Sequence, residues 1–431
     1  MSSMNSKPAH LLVRSAEPRS RSLARRDFGI GRSVRRSLLQ VSKFKQSSED
    51  TRTSKTRYNM VAFCSTIVAL LAILIGLLLS SVPTKVGFYR WLATRDPSNP
   101  KFIGFSPAMN HGVEWGYSFE ELYRQNLTGQ NAIVTGANSG LGFEVSLVLA
   151  KLGASVVMAC RNEARCNKAA QDIRQHQGIK GEVIPMHMEL SSLRSVKEFT
   201  NNYWKHMGSD TSLDMLFLNA GIGSQTPSDA KKFLLSEDGI ELVFATNVVG
   251  HHLLYKLLQQ NLKRSEMARV VLTSSCASFA TFDYKVATDI ATLNNEKVTV
   301  QSGQNLYGQS KLAQIMWAKK LTKDLGPDAT IYVNSVHPGA VATPIFFKLP
   351  AGTPWFIETV FRALQPSMWP ADVAALSLLY LGVAVDDLQK KNVRGRYYHP
   401  IAIEVVNPLS MNENLADKVC AFLDELVREY V

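Results

Sequence analysis

A chain of 431 residues can bury a large core and carry more than one kind of segment. Its 48 Lys+Arg and 36 Asp+Glu give a net charge of +12, but residues 1–59 alone hold 14 basic and 4 acidic side chains, so +10 of it lies in that tail. The remainder is nearly neutral, and five cysteines without a C-x-x-C pair imply neither a zinc site nor a disulfide framework, favouring a reducing, cytosolic setting.

Residues 1–59 are rich in Ser and Arg and poor in apolar periodicity, which predicts a disordered basic tail. Its composition also suits a transit peptide. Sparse aromatics and the lack of a known nucleic-acid fold argue against nucleic-acid binding. Met60–Val82 follows as 23 residues without a charge, roughly 35 Å as a helix, which predicts a single membrane span. Five Lys/Arg lie within twenty residues before it and four after, so local charge does not fix its orientation, although the whole tail favours a cytoplasmic N-terminus. Residues 83–125 read as a Pro-containing connector, with one glycosylation sequon at Asn126.

From residue 126 onward, strand and helix patterns alternate. Strands are predicted over 131–135, 155–159, 182–187, 213–219, 269–274 and 330–336, with a last one near 395–399. Helices are predicted to start near 140, 162, 194, 240, 305 and 370, and residues 412–430 have amphipathic helical period. Such alternation gives a parallel sheet covered on both faces. The first strand, Asn131–Val134, runs into a turn punctuated by Gly136, Gly140 and Gly142, and an apolar helical run follows. That context suits a dinucleotide cradle, because glycines let the backbone approach a pyrophosphate and the helix N-terminus offers free N–H groups. After the second strand comes Cys160-Arg161-Asn162, with no acidic residue at its end. A carboxylate there would bind the ribose 2′-hydroxyl of NAD; Arg161 instead suits the 2′-phosphate of NADP, with NAD(H) left open.

Further on, Y-G-Q-S-K places Tyr307 and Lys311 four residues apart in a helical pattern and so on one face. A phenol of pKa about 10 is a poor acid–base group at neutral pH. A nearby ammonium and a positive cofactor ring favour the phenolate, and a shift of about three units needs roughly 4 kcal/mol. Residues 345–369 are unusually aromatic, which suits either core packing or an apolar lid over a lipophilic substrate that also touches a bilayer. His251 and His252 read as packing or polar-network residues, not metal ligands.

Together these motifs resemble the short-chain dehydrogenases/reductases over roughly residues 125–431, most closely the retinol dehydrogenase branch and the oxidoreductase half of the WW-domain-containing oxidoreductase. Thr135–Gly142 (T-G-A-N-S-G-L-G) is similar to the family's cofactor motif, bringing in Asn138, Ser139 and Leu141 beside Gly136, Gly140 and Gly142. Leu218–Gly221 resembles its N-A-G motif through Asn219, Ala220 and Gly221. Pro338-Gly339 resembles its P-G motif, with Thr343 at the usual offset. The resemblance implies a catalytic set of Asn247, Ser275, Tyr307 and Lys311. Tyr307 exchanges the proton, Lys311 lowers its pKa and holds the nicotinamide ribose, Ser275 bonds the substrate oxygen, and Asn247 positions a relay water. Ser274 and Ser278 stay open as alternatives for the serine. Two departures stand out. Glu189 occupies the place of the family's usual Asp at the adenine, and 32 residues separate Ser275 from Tyr307, so residues 279–304 read as an inserted loop over the site.

The expected molecule is an α/β protein with a Rossmann-type doubly wound parallel sheet over 126–431, behind a basic tail (1–59), a transmembrane helix (60–82) and a connector (83–125). Its expected activity is NADP-preferring interconversion of a lipophilic alcohol and carbonyl on an endomembrane such as the endoplasmic reticulum. The catalytic domain leans to the cytosolic side, and a homodimer is left open. A catalytically silent membrane adaptor and a protochlorophyllide reductase-like enzyme are the alternatives.

Overall fold

The computed structural model describes residues 114–223, 233–280, 286–295, 303–341, 359 and 368–431. The basic tail, Met60–Val82, Thr343 and most of the connector, the inserted loop and the 345–369 segment lie outside the described residues. Among the described ones, no helix is long and apolar enough to cross a membrane.

Among the described residues, eight strands form one sheet in the order β3-β2-β1-β4-β5-β6-β7-β8. They are β1 (Asn131–Thr135), β2 (Ser155–Cys160), β3 (Val183–His187), β4 (Met215–Leu218), β5 (Ala268–Thr273), β6 (Ile331–Val336), β7 (Tyr397–His399) and β8 (Ile403–Glu404). Neighbours from β3 to β7 pair in parallel, and only β8 runs antiparallel to β7. The strands are nearly continuous apolar runs because both faces are covered. Successive side chains point to opposite faces, so Val134 and Ile133 enter different cores.

One face packs α2 (Gly140–Leu152), α3 (Glu163–Arg174) and α7 (Ala371–Val383). The other packs α4 (Leu193–Met207), α5 (Gly250–Lys263), α6 (Gly303–Leu325) and α8 (Glu413–Val427). A short helix, α1 (Phe119–Tyr123), forms inside the segment read as connector. Its start is an S-x-x-E capping box of Ser118 and Glu121, and it buries Leu122 in the first core. Gly116 N–H bonds Ile401 C=O beyond the last parallel strand, which ties this segment to the far edge of the sheet.

Strand order reverses between β1 and β4, and the crevice outside their carboxyl ends is where such sheets bind ligands. Among the described residues, the glycine turn, the N-A-G segment, Ser275 and Pro338-Gly339 follow strands at their carboxyl ends, and Asn247, Tyr307 and Lys311 lie on helical segments.

Candidate active site

The first half of the site is a backbone cradle. β1 ends at Thr135, and Gly136 takes φ +66° while its N–H bonds Ala159 C=O on β2. A Cβ on Gly142 would lie 2.4 Å from the Gly136 carbonyl oxygen, so the turn closes this tightly only with glycine there. Ser139 precedes α2, but its side chain makes no capping bond, so no side chain from that position covers the helix N-terminus. Asn138 lies in the same turn, and Leu141 follows in the first turn of α2. Asn219 and Ala220 anchor it from the end of β4, both backbone N–H groups reaching Thr135 Oγ1 at 2.9 Å, and Asn219 Nδ2 donates to Thr135 C=O at 3.0 Å. The residues present fit a dinucleotide, with an uncapped helix N-terminus for the pyrophosphate and glycine backbone where a side chain would obstruct it.

Arg161 follows β2 and is largely exposed. Its Nε lies 3.5 Å from Glu189 Oε2, and Glu189 Oε1 accepts from Ser191 N–H and Oγ at 3.1 and 2.9 Å. The expectation of no disulfide is corrected here, because Cys160 and Cys166 are joined, with Cα atoms 5.9 Å apart. The physical reason is the strand-to-helix turn. Asn162 caps α3 with its side chain on Arg165 N–H, and the first turn of that helix returns Cys166 over the end of β2. Sequence spacing alone does not reveal this approach. It also removes the cysteine argument for a reducing setting.

The second half of the site gathers Ser275, Tyr307, Lys311 and Asn247. Lys311 Nζ lies 5.4 Å from the Tyr307 ring centroid and donates to Thr273 C=O at 2.7 Å. Among the three serines after β5, Ser275 is the one whose hydroxyl acts on the Tyr307 phenol, favouring its ionised form. Ser274 Oγ donates instead to Lys311 C=O at 2.7 Å, and Ser278 Oγ accepts from Asn407 Nδ2 at 2.9 Å. Asn247 lies in a π-helical turn, Ala245–Val249, between the short Leu242–Phe244 helix and α5. Such a turn displaces the backbone ladder and is frequent at functional sites. Asn247 Nδ2 donates to Ile222 C=O and to Ser310 Oγ, both at 3.0 Å, and Oδ1 accepts Ile222 N–H at 2.8 Å. It therefore pins the segment after Gly221 against the catalytic helix.

Electrostatics depart from the sequence expectation that Lys311 lowers the phenol's pKa. Burial pushes Tyr307 up to about 12, and the Ser275 hydroxyl opposes this only in part. Burial also pushes Lys311 down to about 7. In the protein alone, desolvation is the largest influence on both groups.

Two residues that sequence reasoning passed over complete the polar interior. Gln314 is one turn beyond Lys311, and Lys311 Nζ donates to its Oε1 at 3.1 Å. Thr135 carries the bonds from the N-A-G segment. The i+7 spacing of Gln314 from Tyr307 was a usable signal, since it puts both on one helix face. His251 joins this interior, with Nδ1 3.0 Å from Asn247 C=O and Nε2 2.9 Å from Thr135 Oγ1, while His252 pairs with Asp424 at 2.8 Å. Pro338 and Gly339 follow β6, where Gly339 packs on Trp369, and Trp369 N–H bonds Ala340 C=O.

Residues 130–287 match the profile of the short chain dehydrogenase family. The chain is 31% identical to the WW domain-containing oxidoreductase of Gallus gallus, over 78% of this chain and 74% of that protein. It is 32% identical to retinol dehydrogenase 14 of Homo sapiens, over 79% of this chain and 95% of that protein. Among solved structures, a short chain dehydrogenase from Burkholderia cenocepacia J2315 in complex with NADP shares 25% identity at a TM-score of 0.47, covering 64% of this chain and 96% of that one. The glycine cradle, the N-A-G anchor and the Ser–Tyr–Lys cluster occur here in one chain with relatives of this kind, and the protein belongs to the short-chain dehydrogenase/reductase family as an NAD(P)-dependent oxidoreductase.

Proposed function

We propose that this chain is a membrane-anchored, NADP-preferring enzyme that interconverts a lipophilic alcohol and its carbonyl. The observation that carries the reading is the Ser275–Tyr307–Lys311 cluster, which opens at the same strand ends as the uncapped N-terminus of α2. In this reading Tyr307 gives its proton to the substrate oxygen in reduction and takes it back in oxidation. Ser275 donates to that oxygen and orients it, and Lys311 stabilises the phenolate left behind. The dinucleotide, when bound, supplies or takes up the hydride. Arg161, the only cation in the turn after β2, supports preference for a 2′-phosphate. Asn247 serves by holding Ile222 and Ser310 in place.

The substrate class rests on the aromatic 345–369 stretch and on the kinship with retinol dehydrogenases. The anchor rests on the uncharged Met60–Val82 run. Endomembrane placement and self-association belong to the same proposal, and the facing of the catalytic domain toward the cytosol rests on the resemblance to the retinol dehydrogenase branch alone, since the cysteines no longer support it. The test is NADPH oxidation by the full-length protein in lipid vesicles, offered long-chain or polyene aldehydes and, separately, small water-soluble ketones. Preference for the lipophilic set supports the reading, whereas turnover confined to the soluble set refutes the substrate class. Release by carbonate washing would refute the anchor.

A further inference from the structure

Asn247 C=O faces two side-chain donors at once, Gln314 Nε2 at 2.9 Å and His251 Nδ1 at 3.0 Å. Since a carbonyl oxygen only accepts, His251 carries its proton on Nδ1, which leaves Nε2 as an acceptor. The Thr135 hydroxyl, 2.9 Å away, is the donor that meets it, closer than its other acceptor, Phe217 C=O, at 3.3 Å. Thr135 Oγ1 in turn accepts both N–H groups of the N-A-G segment. At the other end, the Gln314 amide uses its oxygen for Lys311 and its nitrogen for Asn247. Gln314 and His251 are buried, with 0% exposure each, so water has little access to replace these contacts. A continuous chain of hydrogen bonds thus runs from the Lys311 ammonium through Gln314, Asn247 C=O, His251 and Thr135 to the backbone of the nucleotide cradle.

We propose that Gln314 is a positioning residue, whose amide bridge ties the Lys311 ammonium to the Asn247 carbonyl and so to the nucleotide cradle. This rests on the assignment of Lys311 above. An ammonium has three donors. Thr273 C=O and Gln314 Oε1 take two of them, and the third is left on the side of Gly221, where a Cβ would stand 3.4 Å from Nζ. Gln314 therefore sets which way that last donor points. An amide holds position but does not readily pass a proton, which makes the bridge a strut and not a relay. The titratable groups that face Lys311 are Tyr307 on its own helix and His251 from the helix packed against it.

Two variants of the full-length protein test this, Gln314→Leu and Gln314→Glu. Each is first compared with the unmodified protein by thermal unfolding. The primary readout is the titration of the Lys311 13Cε resonance in lysine-labelled protein, assigned by its loss in Lys311→Met. It needs neither cofactor nor turnover, so it stands even if the proposed activity fails. Leu removes an acceptor from the ammonium and should lower its midpoint; Glu adds a negative charge and should raise it by about one unit or more. The second readout is NADPH binding and kcat. Both variants break the bond to Asn247, and both should bind NADPH at least about threefold more weakly and lose about tenfold in kcat, with substrate KM within about twofold. Midpoints that stay in place, or that move while NADPH affinity and kcat do not, overturn the proposal. If the Leu variant does not fold, the Glu variant alone decides by the same criteria.

Discussion

Arg161 Nε lies 3.5 Å from Glu189 Oε2, joining the turn after β2 to the segment after β3. Glutamate stands where the family's usual residue is one methylene shorter, and here the carboxylate meets the arginine. A 2′-phosphate must compete with that carboxylate. The pair is exposed on the arginine side, so its worth is under about 1 kcal/mol, or about fivefold in affinity. Glu189→Gln is therefore expected to tighten NADPH binding by about two- to fivefold and leave NADH nearly unchanged. Arg161→Asp should abolish the proposed NADPH preference. Weaker NADPH binding in Glu189→Gln, measured by cofactor fluorescence, would show that Glu189 serves the cofactor directly.

The parts of this site that could be read from sequence are those set by local geometry. Strand, glycine turn and helix over 131–152, and the i, i+4 pair Tyr307 and Lys311, are each encoded within one short stretch. The sheet followed, since long apolar strands alternating with helices admit few arrangements. Contacts made by packing could not be read. The Arg161–Glu189 pair joins residues 28 positions apart, and the Cys160–Cys166 bond depends on how α3 leaves β2. The π turn under Asn247 and the antiparallel β8, two residues long, have no distinct sequence period. The rise of the Tyr307 pKa was missed because charge pairing can be foreseen from spacing but burial cannot.

The three serines after β5 should separate cleanly. Ser275→Ala removes the hydroxyl that favours the ionised Tyr307 phenol and is expected to cost about a hundredfold in kcat. Ser278→Ala leaves the buried Asn407 amide without its acceptor and is expected to cost about 1–3 kcal/mol of stability, with turnover within about threefold of normal. Steady-state rates and denaturant midpoints for the two variants check this, and a reversed pattern would move the catalytic assignment to Ser278.

Closing the short loop between Cys160 and Cys166 restricts the unfolded chain by about 2 kcal/mol. Reductant is therefore expected to lower the denaturant midpoint of the full-length protein, and Cys166→Ala should be insensitive to it. Thiol counting by mass under denaturing, non-reducing conditions should find this pair blocked to alkylation.

Glu241 caps the turn ahead of Asn247, its two carboxylate oxygens accepting Val243 and Phe244 N–H at 2.9 and 2.8 Å. Burial nevertheless raises its pKa from 4.5 to about 7. The folded state thus holds a proton that the unfolded chain has already lost. The group's contribution is complete below about pH 4.5 and is lost as pH rises through about 7, on the order of 3 kcal/mol. The stability advantage of the unmodified protein over Glu241→Gln should therefore shrink between pH 5 and pH 8. Denaturant titrations across that range measure it, and an advantage that grows with pH would contradict the assignment.

The central claim is that Tyr307 carries the proton at a site where Lys311 and Ser275 attend it. Its most direct test is Tyr307→Phe, which deletes one oxygen and leaves the ring that Lys311 faces at 5.4 Å. We predict a loss of at least about a hundredfold in kcat at pH 7, with NADPH affinity within about threefold of the unmodified protein. Near-normal turnover in Tyr307→Phe would contradict the account.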